Sequence, residues 1–292
     1  FFSLVACQLG ARHVYAIEPD DIISLARQIA SDCGYSDRIT FVQDLSTDVV
    51  LPEPADVLVS DIRGVLPLFQ QHIPTIVDAR QRLLKADGAL IPQQDRLFAA
   101  LVSAPDLADG YRKPWLDNKF GLDLTRCHSM VCNSWSRVSL RPDNVLFEPQ
   151  QLGATLDYRT IESPNFSGQV SWTSDHGSCA DGLLIWFESD LGANCGYSNS
   201  PVEPELIYGQ AFFPLERSLD LKRGDRVEVT VSANFVDDDY VWTWQTTTYR
   251  NSDTLASMQQ STFFGSPLSA KTLDLYKPGH VPTASEWIEI DR

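Results

Sequence analysis

Apolar and polar residues follow two different patterns along the chain, and the change comes near residue 92. In the first part, short apolar runs of strand length alternate with segments whose apolar residues recur at helical spacing. Strands are predicted at 13–18, 39–43, 55–61 and 89–92, and helices at 1–9, 20–30 and 73–84. The short connections between them, including a turn at 85–88, are typical of an α/β fold with a doubly wound, mostly parallel sheet. The unbroken apolar centre of 55–61 predicts a strand buried on both faces.

In the second part of the chain, apolar and polar residues alternate with a period of two. Val227, Val229, Val231 and Ala233 are separated by single polar residues, which is typical of a half-buried antiparallel strand. Similar runs, set between clusters of Gly, Pro, Asn and Asp, occur at 96–103, 168–173, 182–190, 206–213 and 240–248. This pattern predicts an antiparallel β-barrel or β-sandwich domain.

Chain length and the change of pattern together predict two domains. At roughly 150 residues per domain, 292 residues are enough for two. The apolar content of 43% is sufficient for their cores. We assign residues 1–92 to the α/β domain, 93–250 to the antiparallel domain, and 251–292 to an extension whose role the sequence does not indicate.

Net charge and hydropathy argue against two classes of partner. The formal net charge of −16 repels polyphosphate, so the sequence predicts no nucleic-acid binding. The same charge attracts cationic proteins, although many acidic chains carry such a charge for solubility alone. No apolar run reaches the roughly 18 residues of a membrane span, so no membrane partner is predicted.

The cysteines and histidines indicate neither a disulfide framework nor a metal site. The six cysteines are irregularly spaced and form no Cys-x-x-Cys pair. This usage fits a reducing compartment, and we predict a cytoplasmic protein. Two groups approach ligand spacing, Cys127-His128 with Cys132 and His176 with Cys179, and neither matches a zinc signature.

An acidic residue stands at the end of three predicted strands: Glu18, Asp44 and Asp61. Because ligands of an open parallel sheet bind beyond the carboxyl ends of its strands, these carboxylates are expected to meet at one edge. A carboxylate at the first position can accept both hydroxyl protons of a ribose, and one at the next can accept from an adenine amine. The alternative is that strand ends are solvated and carry acids for that reason.

Several segments of the chain resemble one protein family, in the same order. VYAIEPDD…VSDIRGVL at 14–66 and DARQRLLKADGALIP at 78–92 resemble the cofactor domain of class I S-adenosylmethionine-dependent methyltransferases, specifically of protein arginine methyltransferases. WLDNKFGLDL at 115–124 is similar to the family's segment that leads into its dimerisation arm. GLLIWFESDL at 182–191 and GDRVEVTVSANF at 224–235 resemble its β-barrel.

This resemblance, which covers about residues 1–250, implies a cofactor and its ligands. The cofactor would be S-adenosylmethionine, with Glu18 on its ribose and Asp44 and Leu45 against its adenine. The family's glycine-rich loop, which cradles the methionine end of the cofactor, would lie just before Phe1. The resemblance implies no metal.

The loop that holds the acceptor in this family begins at Ser60 and Asp61 and departs from the family pattern. The family reads Ser-Glu-x-x-Gly with a second Glu six residues after that Gly, whereas this chain has Asp61, then Arg63, and Gln70 at the second position. Two carboxylates can hold a guanidinium through its fork of donors, and an amide keeps the geometry but removes a charge. Asp61 and Gln70 are therefore the predicted catalytic residues, with Ser60 at the cofactor side, and arginine as the acceptor is in question.

Alternatives remain open for each departure. An alternative interpretation of Gln70 is an ordinary polar helix residue. An alternative interpretation of Arg63 is a side chain that pairs with Asp61 or with solvent. The family's Thr-His-Trp step falls on 206–208, where Ile207 replaces the His or belongs to a strand core. Tryptophans are numerous in the second part, and packing explains them better than an aromatic ligand cage; they include Trp172, Trp186, Trp242 and Trp244.

These inferences lead to one main functional hypothesis and two alternatives. We expect a methyltransferase that transfers the methyl group of S-adenosylmethionine to a protein or peptide, with a cationic one favoured by the net charge. The reaction would be a direct in-line displacement that needs alignment rather than metal. The alternatives are a catalytically silent module for protein interaction and a small-molecule methyltransferase. The resemblance also implies a homodimer, formed through an arm at about residues 115–135.

Overall fold

The structure of the chain is a computed structural model that describes residues 1–265. Its contacts divide the chain into two compact units. The first unit contains Phe1–Arg96, Thr155–Pro164 and Glu188–Tyr197, and the second contains Leu97–Ala154, Asn165–Phe187 and the chain from Ser198 onward. Of the C-terminal extension assigned above, residues 266–292 lie outside the described residues.

The first unit begins with alternating helices and strands, as the sequence pattern predicts. Its elements are α1 (Phe2–Gln8), β1 (Val14–Ile17), α2 (Ile23–Asp32), β2 (Ile39–Val42), β3 (Ala55–Val59), α3 (His72–Arg82) and β4 (Leu84–Ile91), with a short 3₁₀ turn at Ser36–Arg38. The predicted turn at 85–88 falls inside β4. Leu84 lies opposite Ala55 and Ala89 lies opposite Val57, so residues 85–88 form an irregularity in the pairing of β4 with β3.

Helices α1 and α2 pack on the sheet that β1 and β2 form. The two strands are parallel, with Ile17 opposite Val42 at their ends. Cys7 of α1, Ala30 of α2 and Ile39 of β2 form a buried cluster. One small side chain from each helix therefore packs against the sheet near the start of β2.

Strands β3 and β4 form a second parallel pair, and α3 lies between them in the chain. Helix α3 buries Ile73, Ile76 and Ala79, which recur every three residues and so share one face. Val57 and Val59 of β3 are 50% and 45% exposed. The prediction that this strand is buried on both faces is therefore wrong, because residues 1–265 leave the face shared by these two valines half exposed.

The remaining elements are mostly strands. They are β5 (Gln94–Val102), α4 (Pro105–Leu116), α5 (Thr125–Cys132), β6 (Ser136–Val138), β7 (Gln150–Asp157), β8 (Phe166–Thr173), β9 (Ser178–Gly192), β10 (Cys195–Ser198), β11 (Gln210–Leu221), β12 (Arg226–Val236), β13 (Asp239–Arg250) and β14 (Asp253–Ser261), with short 3₁₀ turns at Pro142–Asn144 and Thr262–Gly265. None of the helices in residues 1–265 is long and apolar enough to cross a membrane.

These strands form two larger sheets. The six-stranded sheet has the order β6-β11-β9-β5-β7, with β10 paired to β9, and the four-stranded sheet has the order β14-β13-β12-β8. Every pairing in the four-stranded sheet is antiparallel. The predicted alternation along β12 is confirmed, because Val227, Val229, Val231 and Ala233 are at most 1% exposed.

Aromatic side chains fill the core of the second unit. Trp242 and Trp244 of β13 are each 1% exposed. Their rings lie 5.6 and 5.0 Å from that of Phe213 on β11. The prediction that these tryptophans serve packing is confirmed.

The predicted fold class is confirmed in its coarse form and corrected in detail. The chain is α/β in its first part, but its sheets are mostly antiparallel. Parallel pairing is limited to β1 with β2 and β3 with β4, which form two separate two-stranded sheets. A single doubly wound parallel sheet needs a ladder that joins these pairs, and none forms within residues 1–265. No closed β-barrel is found in the described part of the chain, because its later strands are divided between the six-stranded and four-stranded sheets.

Candidate functional site

Glu18, Asp44 and Leu45 lie at the adjoining ends of β1 and β2. Glu18 directly follows β1, and its backbone N–H donates to the carbonyl oxygen of Val42, the last residue of β2, at 3.1 Å. Asp44 and Leu45 come shortly after Val42 in the chain. Parallel pairing therefore brings Glu18 and the Asp44–Leu45 pair to one edge of this sheet.

Local hydrogen bonds orient both carboxylates. Glu18 Oε1 accepts the backbone N–H of Asp20 at 3.0 Å, and Asp44 Oδ1 accepts that of Leu45 at 2.8 Å. A carboxylate has about four acceptor positions on two oxygens, so one such bond leaves capacity for a hydroxyl or an amine. The Leu45 side chain beside them is 55% exposed and offers an apolar surface.

Ser60 and Asp61 end the other parallel pair. The backbone N–H of Ser60 donates to the carbonyl oxygen of Ile91 at 2.9 Å, which extends the pairing of β3 with β4 by one residue. Because β3 and β4 form their own sheet, strand pairing does not join Asp61 to Glu18 and Asp44. That all three carboxylates surround one nucleoside therefore stays a prediction.

The loop from Ser60 to Gln70, which we call the acceptor loop, is anchored by buried side chains. Leu66 and Leu68 are 1% and 3% exposed. A Cβ atom at Gly64 would lie 2.7 Å from the Phe69 ring, so any other residue would force the ring or the loop to shift. The part of the loop from Gly64 to Phe69 is therefore closely packed.

Gln70 closes the acceptor loop in an unusual backbone conformation. Its φ is 40°, in the left-handed region, and its side chain is exposed. The next residue, Gln71, is the N-cap of α3. The alternative that Gln70 is an ordinary helix residue is therefore wrong.

Arg63 belongs to the acceptor loop, and its side chain is buried. Its Nη1 donates to both carboxylate oxygens of Asp95 at 2.9 Å and to Ser189 Oγ at 2.9 Å. The exposed fractions of the two charged side chains are 2% for Arg63 and 0% for Asp95. A buried charge needs such a partner, because leaving it unpaired costs several kcal/mol.

The Nη2 nitrogen of Arg63 faces Asp61, near the start of the acceptor loop. Nη2 lies 3.4 Å from Asp61 Oδ1, and the Asp61 side chain is 34% exposed. Nη2 also donates to the Tyr197 hydroxyl, whose ring lies 5.5 Å from the guanidinium carbon. Of the alternatives for Arg63, pairing with Asp61 is confirmed, and the guanidinium bridges a buried and a partly exposed carboxylate.

A second layer of buried groups supports Asp95. The Tyr158 hydroxyl donates to Asp95 Oδ2 at 2.5 Å, and His72 Nε2 lies 3.1 Å from the same hydroxyl. Because the hydroxyl proton goes to Asp95, the phenol oxygen accepts from His72, which fixes the proton of that imidazole on Nε2. His72 Nδ1 finds no hydrogen-bond partner among the described residues.

Burial and charge shift the pKa values of this cluster. Burial and, to a smaller extent, the charge of Arg63 together lower the pKa of His72 to about 3. Burial raises the pKa of Tyr158 well above its ordinary value, and Asp95 adds to the effect. Burial, the largest single cause, would lower the pKa of Arg63, but Asp95, Tyr197 and Tyr158 together outweigh it and the pKa is raised. At neutral pH Arg63 is therefore charged while His72 and Tyr158 are neutral.

Sequence reasoning missed most members of this cluster. Asp95 carried a weak signal, since it stands near the start of β5, just before the apolar run that begins at Leu97. Tyr158, Ser189 and Tyr197 carried none, because they lie 63 to 134 residues from the groups they bind. His72 lies one residue before the predicted helix 73–84 and is the first residue of the observed α3.

Ile207, at the position of the family's His, lies in a loop of the second unit. It precedes β11, which begins at Gln210, and its side chain is 81% exposed. The alternative that Ile207 belongs to a strand core is wrong. The neighbouring Tyr208 packs its ring edge-on against Phe187, with ring centres 5.4 Å apart.

Comparison with known proteins places the chain in a family. A family model for the arginine methyltransferase oligomerization subdomain matches residues 93–249. Protein arginine N-methyltransferase 1 of Schizosaccharomyces pombe is 25% identical over 241 residues, which cover 79% of this chain and 69% of that protein. Protein arginine N-methyltransferase 2 of Mus musculus is 28% identical over 228 residues, which cover 73% of this chain and 50% of that protein.

Solved structures agree in fold. The Trypanosoma brucei PRMT1 enzyme–prozyme heterotetrameric complex with AdoHcy superposes with a TM-score of 0.80 at 18% identity, covering 89% of this chain and 84% of that chain. Arabidopsis thaliana protein arginine methyltransferase 10 superposes with a TM-score of 0.74 at 18% identity, covering 88% and 84%.

The α/β first part and the matched subdomain after it define an S-adenosylmethionine-dependent methyltransferase fold. Because the family model covers more than half of its residues, the chain belongs to the protein arginine methyltransferase family. The predicted family is confirmed, and S-adenosylmethionine is confirmed as the cofactor of the family. The chain spans 69% and 50% of the length of the two relatives above.

Proposed function

We propose that this chain is an S-adenosylmethionine-dependent methyltransferase that modifies a protein or peptide. The observation that carries the proposal is the parallel pairing of β1 with β2, which sets Glu18 beside the Asp44–Leu45 pair at one sheet edge. Ligands of α/β sheets bind at this edge. Since the chain spans only part of its relatives, the activity of the whole protein belongs to this proposal.

The residues at this edge fit the nucleoside part of the cofactor. Ribose presents two hydroxyl donors, and the Glu18 carboxylate can accept both. Adenine presents an amine donor for Asp44 and an aromatic face for the exposed side chain of Leu45. Each group of the nucleoside thus has a chemically matched partner.

The acceptor loop would hold the nucleophile. The cofactor supplies a methyl group on a sulfonium centre, which a nucleophile can displace in line. The task of the protein is to align that nucleophile and to take its proton. Asp61, at the carboxyl end of β3 beside Ser60, would orient the nucleophile or take the proton, and the Gln70 amide would add an uncharged acceptor.

We propose that the acceptor is a nucleophile other than arginine. Asp61 already forms an ion pair with Arg63, and Gln70 carries no charge. The loop therefore lacks the two carboxylates that would offset the cost of removing water from a guanidinium. The net charge of −16 favours a cationic protein as the substrate and opposes nucleic acid.

The ion pair between Asp61 and Arg63 also favours a second candidate, a catalytically silent module for protein interaction. In that case the α/β unit would bind the cofactor, but the acceptor loop would be closed by its own ion pair. The two candidates share the cofactor edge and differ in methyl transfer.

We propose a homodimer formed through the arm at 115–135. The matched family model is an oligomerization subdomain, which supports an oligomer. The arm joins the end of α4 to α5, and three apolar side chains along it are exposed: Leu116 by 53%, Phe120 by 85% and Leu122 by 60%. Sedimentation equilibrium tests this, because Phe120→Ser with Leu122→Ser is expected to give monomers, while the exposed Val236→Ser is not.

We further propose the domain boundaries 1–92 and 93–250 and a cytoplasmic location. The family model begins at residue 93 and ends at 249, which supports the boundaries. All six cysteines are free thiols, which supports a reducing compartment.

Calorimetry with S-adenosylhomocysteine on the full-length protein tests the cofactor edge. We expect binding, and we expect Glu18→Gln to weaken it at least tenfold because one charged acceptor for the ribose is lost. Asp32→Asn, at the exposed end of α2, is the matched control and is expected to bind normally. A folded protein that does not bind would contradict both candidates.

Transfer of a labelled methyl group to lysine, histidine and arginine peptides separates the candidates. Transfer to a peptide without arginine supports the enzyme. Cofactor binding without transfer to any peptide favours the silent module. Efficient transfer to arginine by the unmodified protein contradicts the proposed acceptor class.

A further inference from the structure

The surroundings of Arg63 supply acceptors to both terminal nitrogens of its guanidinium group. Its Nη1 has both oxygens of Asp95 and the hydroxyl of Ser189 as acceptors. Its Nη2 has Asp61 and the hydroxyl of Tyr197. Carboxylates and hydroxyls around a planar fork of donors are what a guanidinium requires when it leaves water. The first unit therefore contains a guanidinium site, and its occupant comes from the chain itself.

The charged groups of this site mostly neutralise one another. Asp61, Asp95 and Arg63 carry two negative charges and one positive charge, while His72 and Tyr158 are neutral at pH 7. Asp95 has no exposed surface and cannot serve a ligand. Of the two carboxylates, Asp61 is the one open to solvent, and it faces the positive charge of Arg63. A second guanidinium approaching Asp61 would thus meet a carboxylate that is already paired and a cation behind it.

The internal occupant also has an advantage of position. Arg63 stands two residues from Asp61 in a loop that Leu66 and Leu68 anchor in the core. A tethered group competes at an effective concentration in the millimolar range or above, even when its tether is flexible. A guanidinium on another molecule would need a much higher affinity to displace it.

We propose that Arg63 is the residue that determines acceptor specificity, by acting as a built-in occupant of the acceptor loop's guanidinium site. The inference deepens the proposed function and rests on it, because it assumes that the acceptor loop holds the nucleophile. Arg63 excludes arginine acceptors and leaves the loop to a neutral nucleophile. It is a positioning residue, since it acts through Asp61 rather than on the reacting atoms.

Replacement of Arg63 tests the proposal, and the buried partner must be neutralised with it. Arg63→Met alone would leave Asp95 buried without its counter-ion, and such a variant would be unstable. The informative variant is Arg63→Met with Asp95→Asn, whose amide oxygen still accepts from Tyr158. We expect it to bind an arginine-rich peptide at least tenfold more tightly than the unmodified protein. We expect the same variant to gain arginine methylation. Arg12→Met, at an exposed surface ion pair, is the control and should change neither.

A second measurement keeps the proposal testable without any activity. Arg63→Ala with Asp95→Asn leaves no buried charge unpaired and should create a cavity in which Asp61, Ser189 and Tyr197 accept hydrogen bonds from the guanidinium ion. We expect 10 mM guanidinium chloride to raise the Tm of this variant more than 10 mM sodium chloride does, and the unmodified protein to show no such difference. Absence of this rescue in a folded variant overturns the guanidinium site.

The outcomes distinguish this proposal from the proposed function. Failure of the double variant to bind arginine peptides more tightly than the unmodified protein overturns the specificity role of Arg63, whatever the cofactor result. Absence of cofactor binding in the unmodified protein overturns the proposed function, and the specificity role with it, but leaves the guanidinium site to the rescue experiment. Equal arginine methylation by both proteins also overturns the specificity role.

Discussion

The hydroxyl oxygen of Tyr158 lies 2.5 Å from Oδ2 of Asp95, and both side chains are fully buried. This contact determines the direction of the neighbouring hydrogen bonds. The Tyr158 hydroxyl donates a hydrogen bond to Asp95 and accepts one from His72, while Asp95 also accepts from Arg63. Hydrogen bonds thus connect His72, at the start of α3, with the acceptor loop. The effect of substitutions at His72 and Tyr158 on protein stability can be measured.

Tyr158→Phe removes the one hydroxyl that serves both Asp95 and His72. The ring would keep its packing, but two buried polar groups would lose a partner. We expect a loss of about 1–3 kcal/mol in the free energy of unfolding, measured by urea denaturation. Tyr249→Phe, on β13, is the control and should be close to neutral. A Tyr158 variant as stable as the unmodified protein would contradict the described hydrogen bonds.

His72 should make the protein less stable in mild acid. Its pKa is about 3 in the folded state because burial, and then Arg63, disfavour the charged form, whereas an unfolded histidine has a pKa of about 6.5. Between these values the unfolded chain binds a proton that the folded chain does not. Stability should therefore fall as the pH drops below about 6.5, by up to about 1.4 kcal/mol per pH unit from this residue.

Comparison with His72→Phe isolates that contribution. The phenyl ring can keep the edge-on contact with Tyr158, whose ring centre lies 5.4 Å away. We expect the difference in unfolding free energy between the two proteins to change with pH between 7 and 5, measured by urea titration. His13→Gln, at an exposed position, should leave the pH dependence as it was. Parallel curves for the unmodified protein and His72→Phe would refute the prediction.

Asp225 of the turn before β12 holds Arg250 through two hydrogen bonds, at 2.7 and 2.6 Å. The hydrogen bond from Arg250 lowers the pKa of Asp225. Its contribution is therefore present above the unfolded pKa of about 3.9 and lost as the pH falls through the folded value.

Asp225→Asn should cost about 1–3 kcal/mol at pH 7, because a hydrogen bond to a charged group is lost at a site that is 1% exposed. The cost should shrink as the pH falls below about 4. Thermal unfolding at pH 7 and at pH 3.5 tests this, with Asp237→Asn at an exposed turn as control. A cost that stays constant over this range would show that the charge of Asp225 is not involved.

Gln70→Gly should stabilise the protein and impair its acceptor loop. Gln70 has a φ of 40°, which costs a non-glycine residue roughly 1 kcal/mol. Glycine relieves that strain but removes the amide proposed to hold the nucleophile. We expect a gain of about 0.5–1 kcal/mol, from which the flexibility of glycine in the unfolded chain subtracts, together with reduced methyl transfer and unchanged cofactor binding. Gln71→Gly, at a φ of −77°, is the matched control and should not stabilise.

The sequence was sufficient to predict elements whose pattern depends on near neighbours. The helices α1 to α3 and the alternation along β12 follow from residues within one or two turns of each other. A turn was predicted at 85–88 because Lys85, Asp87 and Gly88 are poor strand formers, and the structure places these residues at an irregularity in the pairing of β4 with β3.

The candidate site was predictable only where the strand order determines it. Glu18 and Asp44 could be identified because each follows a strand. The contacts of Arg63 could not, because Asp95 and Ser189 lie 32 and 126 residues away in the chain. The sequence showed that Arg63 departs from the family pattern, but only the three-dimensional structure shows which groups neutralise it.

The first unit is built from three separate stretches of the chain, which limits how the protein can be divided into fragments. Its polypeptide comes from three stretches, and the two later ones, Thr155–Pro164 and Glu188–Tyr197, deliver Tyr158, Ser189 and Tyr197. A fragment that ends at residue 96 would keep Arg63 and Asp95 but strip away the hydroxyl groups that solvate them. Expression of residues 1–96 alone would therefore give the Arg63–Asp95 ion pair without its hydroxyl partners, so cofactor and acceptor studies require the intact polypeptide.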